Sequence, residues 1–518
     1  MKAASPAAVA ILGIPAAVGT LALIVVTRLG PYASPDSVFY VGVARRLVDG
    51  RGFVAPPGTP PIGSFPPLFP LLLAGLGSLG LDPLDAAGWI NPVIFGLTVL
   101  LVAVVVARHT GSLPAGLVAG LLVLGALELM KLSSSALSEP LFILLSLASL
   151  ATLAAHLDRP RTWCLGVAMG LASAAVLTRY AGLAVPLAGA AALAGAGRRR
   201  HTAAFAVLPL LPAAGWLAWA GGAHRPLRLH PFGVHESLIG IGALSRWVLP
   251  ETVPWPVRFW ATVLGCAALV AAGAAIAVLA RTRGRPPRPS NLTLVLLAFG
   301  IAYVVVVVGY RVVLDETGRF DSRLLAPVHI VAVVLAVAAV ARHKPPRSLT
   351  AAGLAVVGVM LVQAGVWTAR GLGDQGIGRR GYSAAAWRNS SVVAEIARLD
   401  AGVPVYSNGA DAVFLLTGRT TATLPATTDY LTGRRDPAFS RRLAAVGTEL
   451  ERTGGLLAYF PVIRSRRAFM PSQPLLESSL PLQLVRRDRV GALYRVVPSP
   501  DPAAAPLPRR RGRATGGR

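Results

Sequence analysis

Two acidic residues stand beside long apolar runs of this 518-residue chain. Asp36 lies in the amphipathic segment Ser34 to Phe53 after the first apolar run, and Glu139 begins a later run within Ser-Glu-Pro. A carboxylate at the edge of a hydrocarbon layer is costly unless it is paired or functional. Together at one membrane face, the two could supply a general base and a ligand for a metal or a sugar. Each also has a simpler interpretation as helix-cap chemistry, since Pro35 precedes Asp36 and Ser138 precedes Glu139.

Three arginines are candidates for the same membrane face. Arg179 ends an apolar run, and Arg319 and Arg323 lie just before a later one. The guanidinium group is planar, always charged and suited to phosphate oxygens. Arg323 directly abuts the apolar run and is the better phosphate ligand, whereas Arg319 is equally explained by pairing with nearby acidic residues or with anionic lipid. Carboxylates and guanidiniums together predict proton transfer next to a bound phosphate.

The composition sets the class of protein that must position these groups. The chain is 54% hydrophobic and 14% charged, with a mean hydropathy of +0.60, which excludes a single water-soluble globule. Apolar runs of roughly 17 to 25 residues recur, long enough to cross a bilayer. The net charge of +27 would suggest nucleic acid in a soluble protein. Here the arginines fall in short loops between apolar runs, so they indicate membrane topology and we predict no nucleic-acid partner.

The apolar runs predict about eleven transmembrane helices. They lie near residues 7–28, 89–107, 113–129, 140–157, 163–178, 181–196, 203–221, 258–280, 292–313, 324–341 and 349–369. The first run is as long as a full span, lacks a strongly basic start and is followed by further spans, so we predict a helix there rather than a cleaved signal. With the N-terminus inside, an odd number of spans places the C-terminal part outside.

The predicted organisation has three parts. Residues 1–370 form a membrane domain with a large first outer loop, 29–88; residues 371–497 form a small α/β domain; residues 498–518 form a disordered basic tail. Within the outer loop, residues 66–76 are apolar but too short and proline-rich to span, so we predict a short interfacial or re-entrant helix. The fold class is thus an all-α polytopic membrane bundle with a small C-terminal α/β extracytoplasmic domain.

Five motifs in a fixed order carry a family resemblance. They are Asp-x-x-x-Tyr-x-x-x-Ala-Arg from Asp36, Phe-Pro-Pro-Leu-Phe-Pro from Phe65, Ala-Leu-Ser-Glu-Pro-Leu-Phe from Ala136, Leu-Thr-Arg-Tyr-Ala-Gly-Leu from Leu177 and Arg-Leu-Leu-Ala-Pro from Arg323. Over roughly residues 10–345 this order resembles the C-type membrane glycosyltransferases. Within them it resembles the bacterial branch related to protein O-mannosyltransferases and lipid A aminoarabinose transferase.

The resemblance implies sugar transfer from a polyprenyl-phosphate carrier on the outer face of the bacterial plasma membrane. It makes Asp36 the residue that acts as general base or orients the acceptor. Glu139 matches a second-loop acidic position that is usually Asp in the relatives, and Arg179 and Arg323 would hold the carrier phosphate. The resemblance allows Tyr40 and Tyr180 to pack against sugar or lipid, but core packing is the preferred interpretation of both.

The sequence does not determine the acceptor or whether a metal ion binds. The acceptor is a cell-envelope glycan, lipid or protein. Cys164 and Cys266 lie inside apolar runs and the histidines show no ligand spacing, so no Cys/His metal site is predicted, although the carboxylates leave room for a divalent cation. Two other classes compete with a transferase. One is a transporter or flippase of a lipid-linked saccharide, and the other is a non-catalytic scaffold that binds cell-wall polymer. Transporters usually contain pseudo-symmetric repeats with midplane sites, and no such halves are found in the sequence.

Overall fold

The structure is a computed structural model and describes residues 5–221, 234–247, 249, 252–265, 267, 289–314, 321–343, 347–372, 381–429 and 434–497. The chain divides into two compact units, Met1–Arg388 and Asn389–Arg518. The first is built of helices, and the second contains a five-stranded sheet. The predicted fold class, a helical membrane bundle with a small C-terminal α/β domain, is confirmed at this level.

The first unit is a succession of helices. In chain order they are α1 (Pro6–Thr27), α2 (Pro35–Val48), α3 (Leu68–Gly77), α4 (Pro83–Thr110), α5 (Leu113–Leu124), α6 (Leu127–Ser133), α7 (Glu139–Asp158), α8 (Thr162–Thr178), α9 (Ala184–Gly195), α10 (Arg199–Val207), α11 (Leu211–Trp219), α12 (Val234–Ser245), α13 (255–265), α14 (Asn291–Leu314), α15 (Ser322–His343), α16 (Arg347–Leu372) and α17 (Ala385–Arg388). Short 3-10 turns lie at Ile62–Ser64, Tyr180–Leu183 and Leu208–Leu210.

Several of these helices mark a multi-pass membrane protein. Among the described residues, 7 helical stretches are long and apolar enough to cross a membrane: α1, α4, α7, α10 with α11, α14, α15 and α16. The bent pair α5 and α6, which meet at 63°, would make 8. The predicted spans 163–178 and 181–196 coincide with shorter apolar helices. The predicted span 258–280 lies mostly outside the described residues. The sequence count of about eleven is larger because two of its spans form shorter helices and a third lies mostly outside the described residues.

Ser34 caps the helix α2, which carries Asp36. The Ser34 hydroxyl accepts from the Ser37 backbone N–H, the Ser37 hydroxyl accepts from the Ser34 N–H, and Pro35 occupies the first helical turn. The interpretation of Asp36 as the helix cap is therefore wrong. Its carboxylate remains in the first turn, where the helix dipole favours negative charge, and is available for other contacts.

The turn that precedes α7 is fixed by backbone carbonyl contacts. Asn91 Nδ2 donates to the carbonyl oxygens of Ser135 at 2.7 Å and Leu137 at 3.0 Å. Tyr32 forms an isolated parallel bridge with Ser135. Since buried carbonyl groups need hydrogen-bond donors, these contacts hold the turn in one conformation and thereby set the position of Glu139, the first residue of α7.

The predicted apolar segment at 66–76 forms the ten-residue helix α3. It packs against α2, and the contact is tight at Gly77, where an added Cβ would lie 2.7 Å from Val48 Cγ2. The rings of Phe65 and Phe69 contact the ring of Tyr40 on α2, each with a centroid separation of 5.2 Å. The loop before α4 therefore provides the apolar surroundings of Tyr40.

The second unit is a mixed sheet with helices. Its elements are α18 (Ser391–Arg398), β1 (Val405–Ser407), α19 (Ala410–Thr417), β2 (Ala422–Thr423), α20 (Phe439–Thr453), β3 (Leu456–Tyr459), α21 (Gln473–Ser479), β4 (Leu482–Arg487) and β5 (Ala492–Val496). The sheet order is β2-β1-β3-β5-β4, with β1 parallel to β2 and β3, and β5 antiparallel to β3 and β4. Leu450, Leu457 and Leu476 belong to its buried core.

Candidate active site

Asp36 and Arg323 form an ion pair between the first turns of α2 and α15. Arg323 Nη1 donates to Asp36 Oδ2 at 2.8 Å. The two side chains are 30% and 32% exposed, respectively. Because neither side chain is fully buried, an incoming polar molecule can reach this pair, and each charge is only partly neutralised by the other.

Glu139 lies deeper than Asp36, with its side chain 4% exposed. Arg179 Nη1 lies 2.7 Å from Glu139 Oε1, and Arg323 Nε lies 3.2 Å from the same oxygen. Among the described residues neither Glu139 carboxylate oxygen has a well-aligned hydrogen bond. The attraction of the two guanidiniums therefore compensates for the burial of this charge, which would be very costly alone.

Arg179 lies between α8 and the 3-10 turn that follows it. Its backbone is extended, with φ −151° and ψ 138°. The chain turns back against α8 so closely that a Cβ added to Gly182 would lie 2.6 Å from the carbonyl oxygen of Ala175. Burial is the largest influence and would lower the pKa of Arg179, but the Glu139 carboxylate and two nearby tyrosines together outweigh it and raise that pKa. The guanidinium therefore stays charged.

Tyr40 contacts the same cluster through Ser138. The Tyr40 hydroxyl lies 3.1 Å from Ser138 Oγ, and Arg179 Nη1 lies 3.4 Å from that oxygen. Burial is the main cause that raises the pKa of Tyr40; Glu139 and Asp36 raise it further and Arg179 opposes them. The phenol is 1% exposed and stays neutral. In this arrangement the side chain packs in the protein core.

The two other predicted residues lie elsewhere. The Tyr180 hydroxyl donates to the carbonyl oxygen of Gly63 at 2.8 Å and so contacts the loop before α3. Arg319 lies outside the described residues. The structure therefore brings Asp36, Glu139, Arg179 and Arg323 into one cluster, with Arg323 between the two carboxylates.

The architecture matches crystal structures of ArnT from Cupriavidus metallidurans. The form bound to undecaprenyl phosphate superposes with a TM-score of 0.59 at 16% identity, covering 94% of this chain and 98% of that chain. The apo form superposes with a TM-score of 0.58 at 14% identity, covering 93% and 97%. The chain has the fold of ArnT. The sequence itself significantly matches no family model and no curated protein.

ArnT is lipid A aminoarabinose transferase, a C-type glycosyltransferase. The resemblance inferred from the motif order is therefore confirmed for the fold. The ArnT fold extends over nearly the whole chain, whereas the motifs covered roughly residues 10–345.

Sequence reasoning missed one acidic residue near the cluster in this ArnT-like bundle. Glu128, in the first turn of α6, accepts from Ser322 Oγ at 2.5 Å and contacts Lys131 Nζ at 2.8 Å. Ser322 directly precedes Arg323. The available signal was a glutamate inside the apolar run predicted at 113–129, because an ionisable residue there is costly without a role.

The four charges of the cluster are balanced, and they lie at two depths. Asp36 and Glu139 supply two negative charges, and Arg179 and Arg323 supply two positive ones. Glu139 and Arg179 are the inner pair, with side chains 4% and 17% exposed, and Asp36 and Arg323 are the outer pair. Such a cluster can accept a proton at its outer carboxylate and bind a phosphate with its guanidiniums.

Proposed function

We propose that the protein is an integral membrane glycosyltransferase that moves a sugar from a polyprenyl-phosphate donor to a cell-envelope acceptor. The ion pair of Asp36 with Arg323 carries this proposal, because it joins a proton acceptor to a phosphate-binding group at an accessible position. The undecaprenyl phosphate bound to ArnT supports the choice of a polyprenyl phosphate as the lipid carrier.

The donor phosphate binds Arg323 and Arg179. When no sugar donor is bound, Arg323 contacts both carboxylates. The donor phosphate therefore competes with Asp36 for the guanidinium. When Arg323 turns to the phosphate, Asp36 loses its nearest positive charge and becomes a better proton acceptor. Glu139 stays with Arg179 and holds that guanidinium in place. Donor binding thus prepares the base for the acceptor.

In the transfer step, an acceptor hydroxyl or amine attacks the anomeric carbon of the sugar. The bond from the acceptor to that carbon forms, and the bond from the carbon to the phosphate oxygen breaks. Asp36 takes the acceptor proton, and the polyprenyl phosphate leaves with both electrons of the broken bond. Arg179 and Arg323 stabilise the negative charge that develops on the leaving phosphate.

The arrangement of these charges bears on whether the site could hold a divalent cation. Asp36 and Glu139 are the carboxylates of the cluster, and Arg323 lies between them. The described residues contain no group of three His, Cys, Asp or Glu side chains that could hold a metal ion. A cation would have to replace Arg323, so the donor set fits a guanidinium bound to phosphate better than a metal. We propose no step through a metal.

We place the reaction on the outer face of the bacterial plasma membrane, with the C-terminal unit extracytoplasmic. The acceptor is a glycan, a lipid or a protein of the cell envelope. The clustered charges lie at helix ends: Asp36 and Arg323 in first turns, Glu139 at the start of α7 and Arg179 after α8. Helix ends suit chemistry at a membrane surface, whereas transporter sites usually lie near the midplane. This placement favours a transferase over a flippase.

The testing experiment is a transfer assay with the full chain in nanodiscs. Radiolabelled polyprenyl-phosphate sugars are incubated with cell-envelope extract, and the labelled acceptor is separated from the donor. We expect transfer from one donor of the panel by the wild type and loss of that transfer in Asp36→Asn. Donor binding without any transfer, unaltered in Asp36→Asn and Glu139→Gln, would favour a transporter or a binding protein.

A matched control keeps the carboxylate test specific. Asp49 also lies near α2 but at its C-terminal end, and its side chain is 56% exposed. Asp49→Asn removes the same charge at the C-terminal end of α2, outside the cluster. We expect it to keep wild-type transfer, so that a loss in Asp36→Asn reports the position of the carboxylate and not the loss of a surface charge.

A further inference from the structure

The first turn of α15 carries Arg323 and is capped by Asp321, whose Oδ1 accepts from the Leu324 N–H at 3.0 Å; side chains from other helices also contact it. Pro327 lies within α15 and has no backbone N–H, so the carbonyl group of Arg323 lacks its usual intrahelical donor. The Tyr303 hydroxyl donates to the carbonyl oxygen of Leu324 at 2.9 Å. The hydroxyl of Ser322 donates to Glu128 at 2.5 Å.

Glu128 is an unusual residue for its place. It lies in an apolar pair of helices that is a candidate membrane span, and its side chain is only 12% exposed. Lys131 contacts one of its carboxylate oxygens at 2.8 Å and Ser322 contacts the other. Lys131 offsets the charge of Glu128, and Ser322 links it to α15.

The element that carries Glu128 also leads to the other half of the site. Within α6, the carbonyl oxygen of Lys131 accepts from the hydroxyls of Ser134 and Ser135 at 2.7 and 2.8 Å. These serines belong to the turn that ends at Glu139. The helix that carries Glu128 therefore contacts both the turn before Glu139 and, through Ser322, the first turn of α15 with Arg323.

We infer that Glu128 is a positioning residue: its hydrogen bond from Ser322 fixes the first turn of α15, so that Arg323 reaches both carboxylates and is preorganised for the donor phosphate. The inference rests on the proposed function for the identity of that phosphate. A hydrogen bond to a charged acceptor is stronger than one between neutral groups, and an arginine held in place loses less conformational freedom when it binds.

The test measures the affinity of undecaprenyl phosphate for the purified full chain in detergent. Ser322→Ala removes only the donated hydroxyl, and Glu128→Ala removes its acceptor. We expect each to weaken binding about tenfold, as for loss of a hydrogen bond to a charged group. Ser322→Thr keeps a hydroxyl and should restore binding. Glu128→Gln keeps an oxygen acceptor and should weaken binding less than Glu128→Ala.

The decisive comparison uses an Arg323→Ala background. If Glu128 acts through Arg323, Ser322→Ala has little further effect on affinity once the guanidinium is absent. An equal loss of affinity with and without Arg323 would overturn the inference, as would a lowered melting temperature with unchanged affinity. Ser112→Ala is the matched control, because Ser112 caps α5 and contacts Ala115 instead.

Failure of this inference can be separated from failure of the proposed function. If the wild type binds undecaprenyl phosphate but transfers no sugar from any donor, the transferase proposal fails, and the binding series still tests Glu128. If the wild type binds and transfers but Ser322→Ala and Glu128→Ala keep full affinity, the positioning inference alone fails.

Discussion

Arg323 Nη1 lies 2.8 Å from Asp36 Oδ2. This contact joins residues 287 positions apart in the sequence and couples the proposed base to the proposed phosphate ligand. The inner pair of Glu139 and Arg179 is linked to it through Arg323. A change at one charge should therefore alter the others in a direction that the pairing predicts.

Asp36→Asn should separate catalysis from donor binding. We expect transfer to fall about 10²- to 10⁴-fold, the usual contribution of a general base. Undecaprenyl phosphate affinity should stay equal or rise, since Arg323 loses one competing carboxylate. The measurements are initial transfer rates and equilibrium binding on the same preparation. A parallel loss of rate and affinity would show that Asp36 organises the donor site instead.

The buried pair of Glu139 and Arg179 should matter for folding as well as for binding. Removing one partner leaves the other charge buried, which costs about 3–5 kcal/mol in comparable buried pairs. We expect Arg179→Gln to lower the thermal stability strongly and the double variant Glu139→Gln with Arg179→Gln to recover part of it. Thermal unfolding in one detergent measures both. Additive destabilisation in the double variant would contradict the pairing.

Chelation should leave activity unchanged. Arg179 and Arg323 already place positive charge at the candidate phosphate site, and Arg323 lies between the carboxylates that a cation would need. We expect equal transfer rates after EDTA treatment and after return of Mg²⁺ or Mn²⁺. A rate that falls with EDTA and returns with one of these ions would contradict this expectation and show that a cation takes part in transfer.

The second unit should lose stability in acid through Asp488. Burial would raise the pKa of Asp488, but hydrogen bonds from Ser390, Val392, Gly491 and Val490 outweigh it and lower that pKa. Because the folded state has the lower pKa, this stabilisation is fully present above the unfolded value of about 3.9 and is lost as pH falls through the folded value.

Hydrogen exchange of the full chain can locate that effect. Asp488 Oδ2 accepts from the Val392 N–H at 3.1 Å, in the first turn of α18. We expect Asp488→Asn to speed amide exchange in α18 at neutral pH and to reduce its dependence on pH below about 4. Asp400→Asn, an exposed position in the same unit, is the control. Unchanged exchange in α18 would mean that the hydrogen bonds contribute little.

Much of the architecture follows from the sequence because bilayer thickness fixes the length of an apolar helix. The α/β character of the C-terminal part follows from the sequence as well, since buried strands such as Leu456–Tyr459 form short apolar runs. The two-residue strand Ala422–Thr423 was missed because it is too short for any periodicity. Ser34, and not Asp36, caps α2, which pattern alone did not decide.

The cluster could be predicted as a set of residue types but not as a set of contacts. Carboxylates and arginines at the ends of apolar runs stand out as costly charges. Which arginine faces which carboxylate depends on the tertiary packing of α2, α7 and α15. Glu128 stood out least, since its partner Ser322 is an ordinary polar residue 194 positions away.

Tyr40 offers the sharpest separation between packing and substrate contact. Its ring is 1% exposed among Phe39, Phe65 and Phe69, and its hydroxyl lies 3.1 Å from Ser138 Oγ. Tyr40→Phe removes only that hydroxyl, so we expect a stability loss of about 1 kcal/mol and a donor KM within about threefold of wild type.

Tyr40→Ala should instead cost about 3–5 kcal/mol through the cavity it leaves. Thermal unfolding and donor KM, measured on both variants, check this. A large rise in KM for a well-folded Tyr40→Phe would mean that the phenol contacts the sugar, because a substrate hydrogen bond would then have been lost without any loss of packing.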